Sequence, residues 1–135
     1  MIENAAKGEN WMFRSLYAEV NGKEKDILEN GKLSCAIFVS SILYVFKMIK
    51  DPHATVDKTI DDMITLGWYE IEKPKPGAIL KWEKQEGHYH IGFYVGGNMA
   101  ISNDSKDTGF PHKHHYTYND TRKIEKIYWH KELND

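Results

Sequence analysis

The pattern of apolar residues changes at Gly67, and this change constrains the fold more than any other feature of the sequence. Before Gly67, apolar residues recur at helical spacing in two segments, 35–50 and 54–68. After it, the apolar stretches are short, rich in β-branched and aromatic residues, and separated by Gly, Pro, Asn and Asp. Five such stretches predict strands: WYEI, GAILKWE, HYHIGFYVG, NMAISND and RKIEKIYWH. Helices followed by strands predict an α+β fold in which N-terminal helices pack on a five-stranded antiparallel sheet.

The N-terminal third of the chain predicts additional helical structure. The segment WMFRSLYAEV places apolar residues at loosely helical spacing, and NGKEKDILENGK is expected to be a loop. Ser34 is a predicted N-cap for a helix that runs from Cys35 to about Lys50. The second helix is expected to end at Gly67, because glycine commonly terminates helices.

Composition and charge limit the classes of function that we expect. A length of 135 residues fits a single domain, residues 1–135, and 41% hydrophobic residues are enough for a core. The 18 basic and 20 acidic residues give a formal charge of −2, which predicts binding to neither nucleic acid nor an anionic membrane. The longest apolar run, AIFVSSILYVF, is too short to span a bilayer. Without a signal-peptide pattern we expect a cytoplasmic protein, with export by another route left open.

The single cysteine, Cys35, is the first candidate for a catalytic residue. It stands at the predicted start of a helix, where partial positive charge and unpaired N–H groups stabilise a thiolate. Its neighbours Ser34 and Ala36 are small, as a position that faces a substrate requires. The competing interpretation is a buried, inert thiol. A nucleophilic cysteine would need a base and a third group that orients the base.

Two histidines at the start of one predicted strand are candidates for that base. His88 and His90 lie two residues apart, so they share a face of the strand and either could approach the helix start. His90 directly precedes the apolar body of the strand, whereas His88 lies nearer the loop and should be more exposed. Gly92 leaves room for another backbone or a substrate. The competing interpretation for each histidine is solvent exposure or a structural hydrogen bond.

Asn103 is the first choice for the residue that orients the base. A hairpin turning around residues 97–98 would place Asn103 diagonally across from His90 on the same face. A bulge at the double glycine would instead bring Ser102 or Asp104 forward. A neutral carboxamide would fix the imidazole tautomer without raising the histidine pKa. Ordinary turn chemistry is the competing explanation for this asparagine.

The segment PHKHHYTY contains three further histidines, His112, His114 and His115. Their spacing matches no common helical pair of zinc ligands, and acidic partners at fixed offsets are missing, so we expect no metal and no other cofactor. A metal-binding protein is kept as a third alternative. We expect His115 and Tyr116 to flank the substrate cleft. The predicted substrate-binding residues are therefore His88, His115 and Tyr116.

Taken in order, these motifs resemble a known family. A helix that begins with a cysteine, the strand PKPGAILKW and the segment HIGFYVGGNMAISND resemble the NlpC-type cysteine peptidases and their CHAP amidase relatives, which are compact papain-like folds. The resemblance covers roughly residues 30–105, and HIGFYVGG is its most specific part. It implies that Cys35 is the nucleophile, His90 the base, and Asn103 or a neighbour the orienting residue.

The resemblance also implies an activity. It implies a cysteine hydrolase, a peptidase or amidase, that cleaves an amide bond in peptidoglycan-type peptides and therefore binds a peptide or cell-wall fragment. Ser34 and Ala78 stand where the family has acidic residues, and the third residue of this family is often histidine. The alternative is a non-catalytic binding module that retains the papain-like fold. The oligomeric state does not follow from the sequence.

Overall fold

The computed structural model describes residues 1–7, 17–20, 22–26, 34–104 and 108–134, and within them it shows an α+β fold. The helices are α1 (Ile2–Ala5), α2 (Cys35–Val45), α3 (Val56–Thr65) and a short 3-10 helix (Lys131–Leu133). The strands are β1 (Tyr17–Val20), β2 (Lys23–Asp26), β3 (Tyr69–Glu70), β4 (Ile79–Gln85), β5 (His88–Gly96), β6 (Met99–Asn103), β7 (Pro111–His115) and β8 (Ile124–Trp129). No helix in these ranges has the length and apolar character needed to cross a membrane.

The main sheet has six antiparallel strands in the order β3-β8-β4-β5-β6-β7. The predicted antiparallel α+β class is confirmed, but the prediction of five strands is wrong. The missed strand is β7, whose sequence PHKHH lacks the β-branched residues by which strands are usually recognised. Because β5 lies between β4 and β6, the histidines at its start lie near residues of both of these strands.

The prediction for the N-terminal third is wrong where the structure describes it. Residues 17–20, predicted as helix, and residues 23–26, predicted as loop, are the strands β1 and β2 of a separate antiparallel ribbon. Val20 pairs with Lys23, and Gly22 between them has a φ of 77°. The dipeptide Asn-Gly at 21–22 is a strong hairpin signal. Residues 11–16 of the predicted helix lie outside the described residues.

Helix α2 begins at Cys35 as predicted but ends at Val45, before the predicted end at Lys50. Lys47 adopts a left-handed conformation with φ 58°, and the Met48 N–H donates to the Leu43 carbonyl at 2.9 Å. This bond closes the helix end in the manner of a Schellman turn. The chain therefore leaves the helix well before the Asp-Pro pair at 51–52 that was expected to stop it.

The sheet separates two apolar layers. On the helix face, Phe38 of α2 is fully buried and its ring packs edge-on against Phe93 at 5.6 Å between ring centroids. Replacing Phe38 by alanine would cost about 3–5 kcal/mol of stability. The opposite face carries a second buried cluster: Ala78, Leu80, Trp82, Tyr94, Ala100, Ile127 and Trp129. Since side chains alternate along a strand, neighbours in β5 face different layers.

Candidate active site

The start of α2 is held in place by Asn103. Ser34 occupies the N-cap position as predicted, but its side chain forms no capping hydrogen bond. Instead its Oγ accepts a hydrogen bond from the Asn103 Nδ2 group. The same Nδ2 group donates to the Gly109 carbonyl at 3.0 Å, and both Ser34 and Asn103 are fully buried. Asn103 therefore lies on the helix face of the sheet and fixes the residue that precedes Cys35.

Cys35 lies at the start of α2, near the beginning of β5. It is partly buried and packs on the helix side of the sheet, against the core that includes Ile91. The Ile91 N–H lowers the pKa of the Cys35 thiol, so the thiol lies near the residue that follows His90. The paired region of β5 and β6 begins only at Phe93 and Ile101, further along the strand.

His90 is almost fully buried, at 4% exposure, on the face of the sheet opposite α2. Its ring lies against Trp82, with 5.2 Å between the ring centroids, and its Nε2 is 2.9 Å from the Ser102 Oγ. His88 is exposed, as expected for the histidine nearer the loop. In the structure, Cys35 therefore lies near Ile91, the residue that follows His90. A direct contact between the Cys35 thiol and the His90 ring stays a prediction.

The predicted hydrogen bond from Asn103 to His90 is wrong, because Ser102 takes that place. Phe93 pairs with Ile101 and Tyr94 with Ala100, and a bulge follows before Gly96 pairs with Met99. This bulge shifts the ladder by one residue from the register that a regular hairpin would give. It turns Ser102 to the face of His90 and Asn103 to the helix face.

Gly92 allows this close approach between β5 and β6. A Cβ atom at Gly92 would lie 2.7 Å from the Ser102 Cβ and 2.8 Å from the Ile101 carbonyl oxygen. Both distances are shorter than any real contact of a Cβ atom. The space that the glycine was predicted to leave for another backbone is thus filled by β6.

Ser102 is the centre of a buried polar group that we call the Ser102 cluster: Ser102, His90, His114 and Tyr118. Besides its contact with His90, the Ser102 Oγ lies 2.7 Å from the His114 Nε2 and 3.0 Å from the Tyr118 hydroxyl. The rings of His114 and Tyr118 are stacked, with centroids 4.1 Å apart. Three polar contacts on one buried hydroxyl leave it little freedom to rotate.

The contacts of the Ser102 cluster determine which nitrogen of each neutral histidine carries the proton. The His114 Nδ1 lies 2.7 Å from the His115 carbonyl, which can only accept, so this Nδ1 carries the proton. The Nε2 of a neutral His114 must then accept the hydrogen of the Ser102 hydroxyl. The Ser102 oxygen consequently accepts from its other neighbours, and the His90 Nε2 carries a proton. This leaves the His90 Nδ1 as the ring nitrogen that carries no proton.

Burial keeps the Ser102 cluster neutral. It lowers the pKa of His90 to about 3, with the positive charge of Arg122 acting in the same direction. It also lowers the pKa of His114 to about 4 and raises the pKa of Tyr118 to about 12. Both imidazoles are therefore unprotonated at neutral pH, as the proton assignment above requires.

The Cys35 thiol is also neutral at neutral pH. Burial raises its pKa above the ordinary value, while the N–H groups of Ile91 and Ala36 and the charge of Arg122 act in the opposite direction. Because the pKa of the Cys35 thiol is high and the pKa of the His90 imidazole is low, both groups are uncharged at neutral pH. Proton transfer would then accompany the attack on a substrate, because no thiolate–imidazolium pair is formed beforehand.

A strained loop between β7 and β8 places Tyr118 in the cluster. Tyr118, Asn119 and Asp120 have left-handed φ values of 53°, 56° and 65°. Asn and Asp tolerate this conformation, but it is unfavourable for a bulky residue such as Tyr118. The His115 Nδ1 accepts the N–H groups of Thr117 and Asn119 at 3.2 and 3.3 Å. His115 thus stabilises the loop. Strain of this kind persists where the surrounding structure enforces it, often at functional sites.

The residues predicted to bind substrate differ in their surroundings. The Tyr116 carbonyl accepts the Trp82 Nε1–H at 2.7 Å, and the Tyr116 ring packs on Tyr94 at 5.6 Å between ring centroids. Tyr116 therefore belongs to the packed layer, and the substrate-binding roles of His88 and His115 stay predictions. Sequence reasoning missed His114, Tyr118 and Arg122. The two-residue spacing of His112 and His114, once recognised as a strand, would have placed them on one face.

In the part of the chain that the structure describes, no group of three or more side chains is arranged to hold a metal ion. No protein-family model and no curated protein matches this chain. The functional argument therefore depends on the geometry around Cys35, His90 and Ser102.

Proposed function

We propose that the protein is a cysteine hydrolase with a papain-like fold of the NlpC type, and that it cleaves an amide bond through Cys35, His90 and Ser102. The position of Cys35 at the start of α2, packed on the helix face of the strand that carries His90, carries this proposal. The His90 imidazole is buried one residue before Ile91, its Nε2 is held by Ser102 and its Nδ1 carries no proton, so it would be the base. A nucleophile, a base and a residue that orients the base are the three parts that such chemistry needs.

The reaction follows from these three side chains. As the sulfur attacks the amide carbon, the thiol proton moves to the His90 Nδ1 and a C–S bond forms. The C–N bond then breaks, the leaving amine takes the proton from His90, and a thioester remains on Cys35. Water attacks the thioester after giving a proton to His90, which releases a carboxylic acid and restores the thiol. Ser102 holds the ring in one tautomer throughout.

Backbone groups at the start of α2 would stabilise the oxyanion. The Cys35 N–H is at the N-terminus of a helix, where amide hydrogens are not used by preceding carbonyls. Losing one such donor typically costs about 3 kcal/mol of transition-state stabilisation. Asn103 supports this position through Ser34, so we assign Asn103 as a positioning residue and not as a partner of His90.

Peptidoglycan-type peptides are the proposed substrates, on the basis of the motif HIGFYVGG and the order of the catalytic residues. The test is to incubate the protein with muropeptides and follow new amino groups and product masses by mass spectrometry. We expect products with the wild type and none with Cys35→Ala or His90→Gln. Lys84→Gln is the control, since it changes an exposed side chain of the neighbouring strand β4 that has no proposed role and should retain activity. Equal product formation by the Cys35→Ala variant would refute the assignment.

The raised pKa of Cys35 supports one alternative, a non-catalytic module that binds the same peptides. A thiol that burial keeps protonated is a weak nucleophile. Isothermal titration with muropeptides, followed by mass analysis of the recovered peptides, separates the two functions. A binding module would return the peptides intact, whereas the hydrolase would return cleaved products.

A further inference from the structure

Arg122 is anchored beside the candidate active site by two backbone carbonyls. It lies just before β8, and its Nε donates to the Glu83 carbonyl at 3.1 Å. Its Nη2 donates to the His88 carbonyl at 3.0 Å. A guanidinium has five N–H donors, so these two bonds fix its orientation and leave donors for another group.

This guanidinium has no carboxylate partner within 4.0 Å in the part of the chain described by the structure. By contrast, two lysines of the same sheet are paired, Lys81 with Glu125 and Lys126 with Glu70. Burial lowers the pKa of Arg122. The negative charges of Glu83 and Glu86 raise it, but neither carboxylate forms an ion pair with the guanidinium. A partly buried cation without an ion-pair partner is costly unless an anion binds to it.

Arg122 and Cys35 both lie near the beginning of β5. Arg122 binds the carbonyl of His88, and the Ile91 N–H lowers the pKa of the Cys35 thiol. These positions are three residues apart, which is about 10 Å of extended chain. The positive charge of Arg122 lowers the pKa of Cys35 and that of His90, so its field reaches both reacting groups.

We propose that Arg122 binds a carboxylate of the substrate close to the bond that is cleaved. This proposal rests on the proposed hydrolase function and narrows its substrates to acidic peptides, with a free carboxylate near the scissile amide. The planar guanidinium can bind both oxygens of a carboxylate, which would orient the substrate as well as attract it.

Two alkylating agents that differ in charge test this proposal without a known substrate. Iodoacetate carries a carboxylate, and iodoacetamide is its neutral counterpart of nearly equal size. In both reactions the Cys35 thiolate displaces iodide, a C–S bond replaces the C–I bond, and the thiol proton is released to the medium. Because the chain has one cysteine, the rate of alkylation reports on Cys35 alone.

The measured quantity is the ratio of the iodoacetate rate to the iodoacetamide rate. We expect Arg122→Gln to lower this ratio about tenfold, an effect close to that of one charge a few ångströms away in water and smaller than that of the same charge in a desolvated site. Lys123→Gln is the matched control, because it removes the same charge from the exposed neighbouring side chain. It should leave the ratio unchanged. An equal ratio in the wild type and in folded Arg122→Gln would overturn the proposal.

If Arg122→Gln does not fold, the wild type still provides a test. Added salt should lower the ratio for the wild type, since it screens attraction between Arg122 and iodoacetate. A ratio that stays constant or rises with salt would overturn the proposal. Muropeptide cleavage is measured separately, so an anion preference without cleavage would refute only the hydrolase. Cleavage without an anion preference would refute only the role of Arg122.

Discussion

The buried imidazole of His90 should make the folded protein lose stability when the pH falls from 7 to 5. Its ring is 4% exposed, lies against Trp82 and is held by Ser102. In the unfolded chain the same ring is free to take up a proton near its ordinary pKa. Acid therefore stabilises the unfolded state more than the folded state.

The size of this effect follows from the two pKa values. Burial lowers the pKa of His90 from 6.5 to about 3 in the folded protein. Because the folded pKa lies below the unfolded value, the stability that depends on a neutral His90 ring is fully present above pH 6.5. It is lost as the pH falls toward 3. At about pH 5, the pH is roughly 1.5 units below the pKa of the ring in the unfolded chain, so that ring is protonated. The ring in the folded protein is still neutral. At about 1.4 kcal/mol per unit, the loss from this histidine is about 2 kcal/mol.

Guanidinium denaturation at pH 7 and pH 5, followed by circular dichroism, measures this loss. The wild type should lose about 2 kcal/mol more than His90→Gln between the two pH values. His88→Gln is the control, since it removes an exposed ring from the same strand and should lose as much as the wild type. His114 contributes in the same direction in all three proteins, so it cancels in the comparison. An equal loss in the wild type and His90→Gln would show that the ring is not held neutral.

Three further predictions concern the thiol and its supporting residues. Because burial raises the pKa of Cys35, its alkylation by iodoacetamide should keep accelerating above pH 9; a plateau near pH 6 would reveal a thiolate–imidazolium pair instead. Ser102→Ala removes a partner from each of three buried groups, so it should cost about 2–4 kcal/mol of stability and lower turnover about ten- to a hundredfold. Asn103→Ala should also lower turnover, by displacing Ser34, but its stability should still fall between pH 7 and pH 5 as in the wild type. If the stability of this variant no longer depended on pH, the separate roles of Ser102 and Asn103 would be contradicted.

Much of the scaffold could be predicted from the sequence because its signals are local. The start of α2 at Cys35 and the five recognised strands follow from apolar spacing and from turn residues. The burial of His90 and the exposure of His88 followed from their distance to the apolar body of β5. Strand β7 was missed because three of its five residues are histidines, which give no strong local preference for a strand.

The third residue of the site could not be fixed from the sequence, because it depends on one irregularity in the hairpin. The bulge between Tyr94 and Gly96 decides whether Ser102 or Asn103 faces His90. Adjacent glycines permit several turn geometries, so the sequence left this choice open. The role of Tyr118 depends on its left-handed conformation, which the propensity of tyrosine does not favour.

The central claim, that Cys35 is a nucleophile with His90 as its base, is tested most directly by acylation with p-nitrophenyl acetate. The account predicts a burst of about one equivalent of p-nitrophenolate and an acetyl group on Cys35, detected by mass spectrometry of the intact chain and its peptides. The burst rate should fall about a hundredfold or more in His90→Gln and should be unchanged in Lys84→Gln, which changes an exposed side chain of β4. Acylation of folded His90→Gln at the wild-type rate would contradict the account.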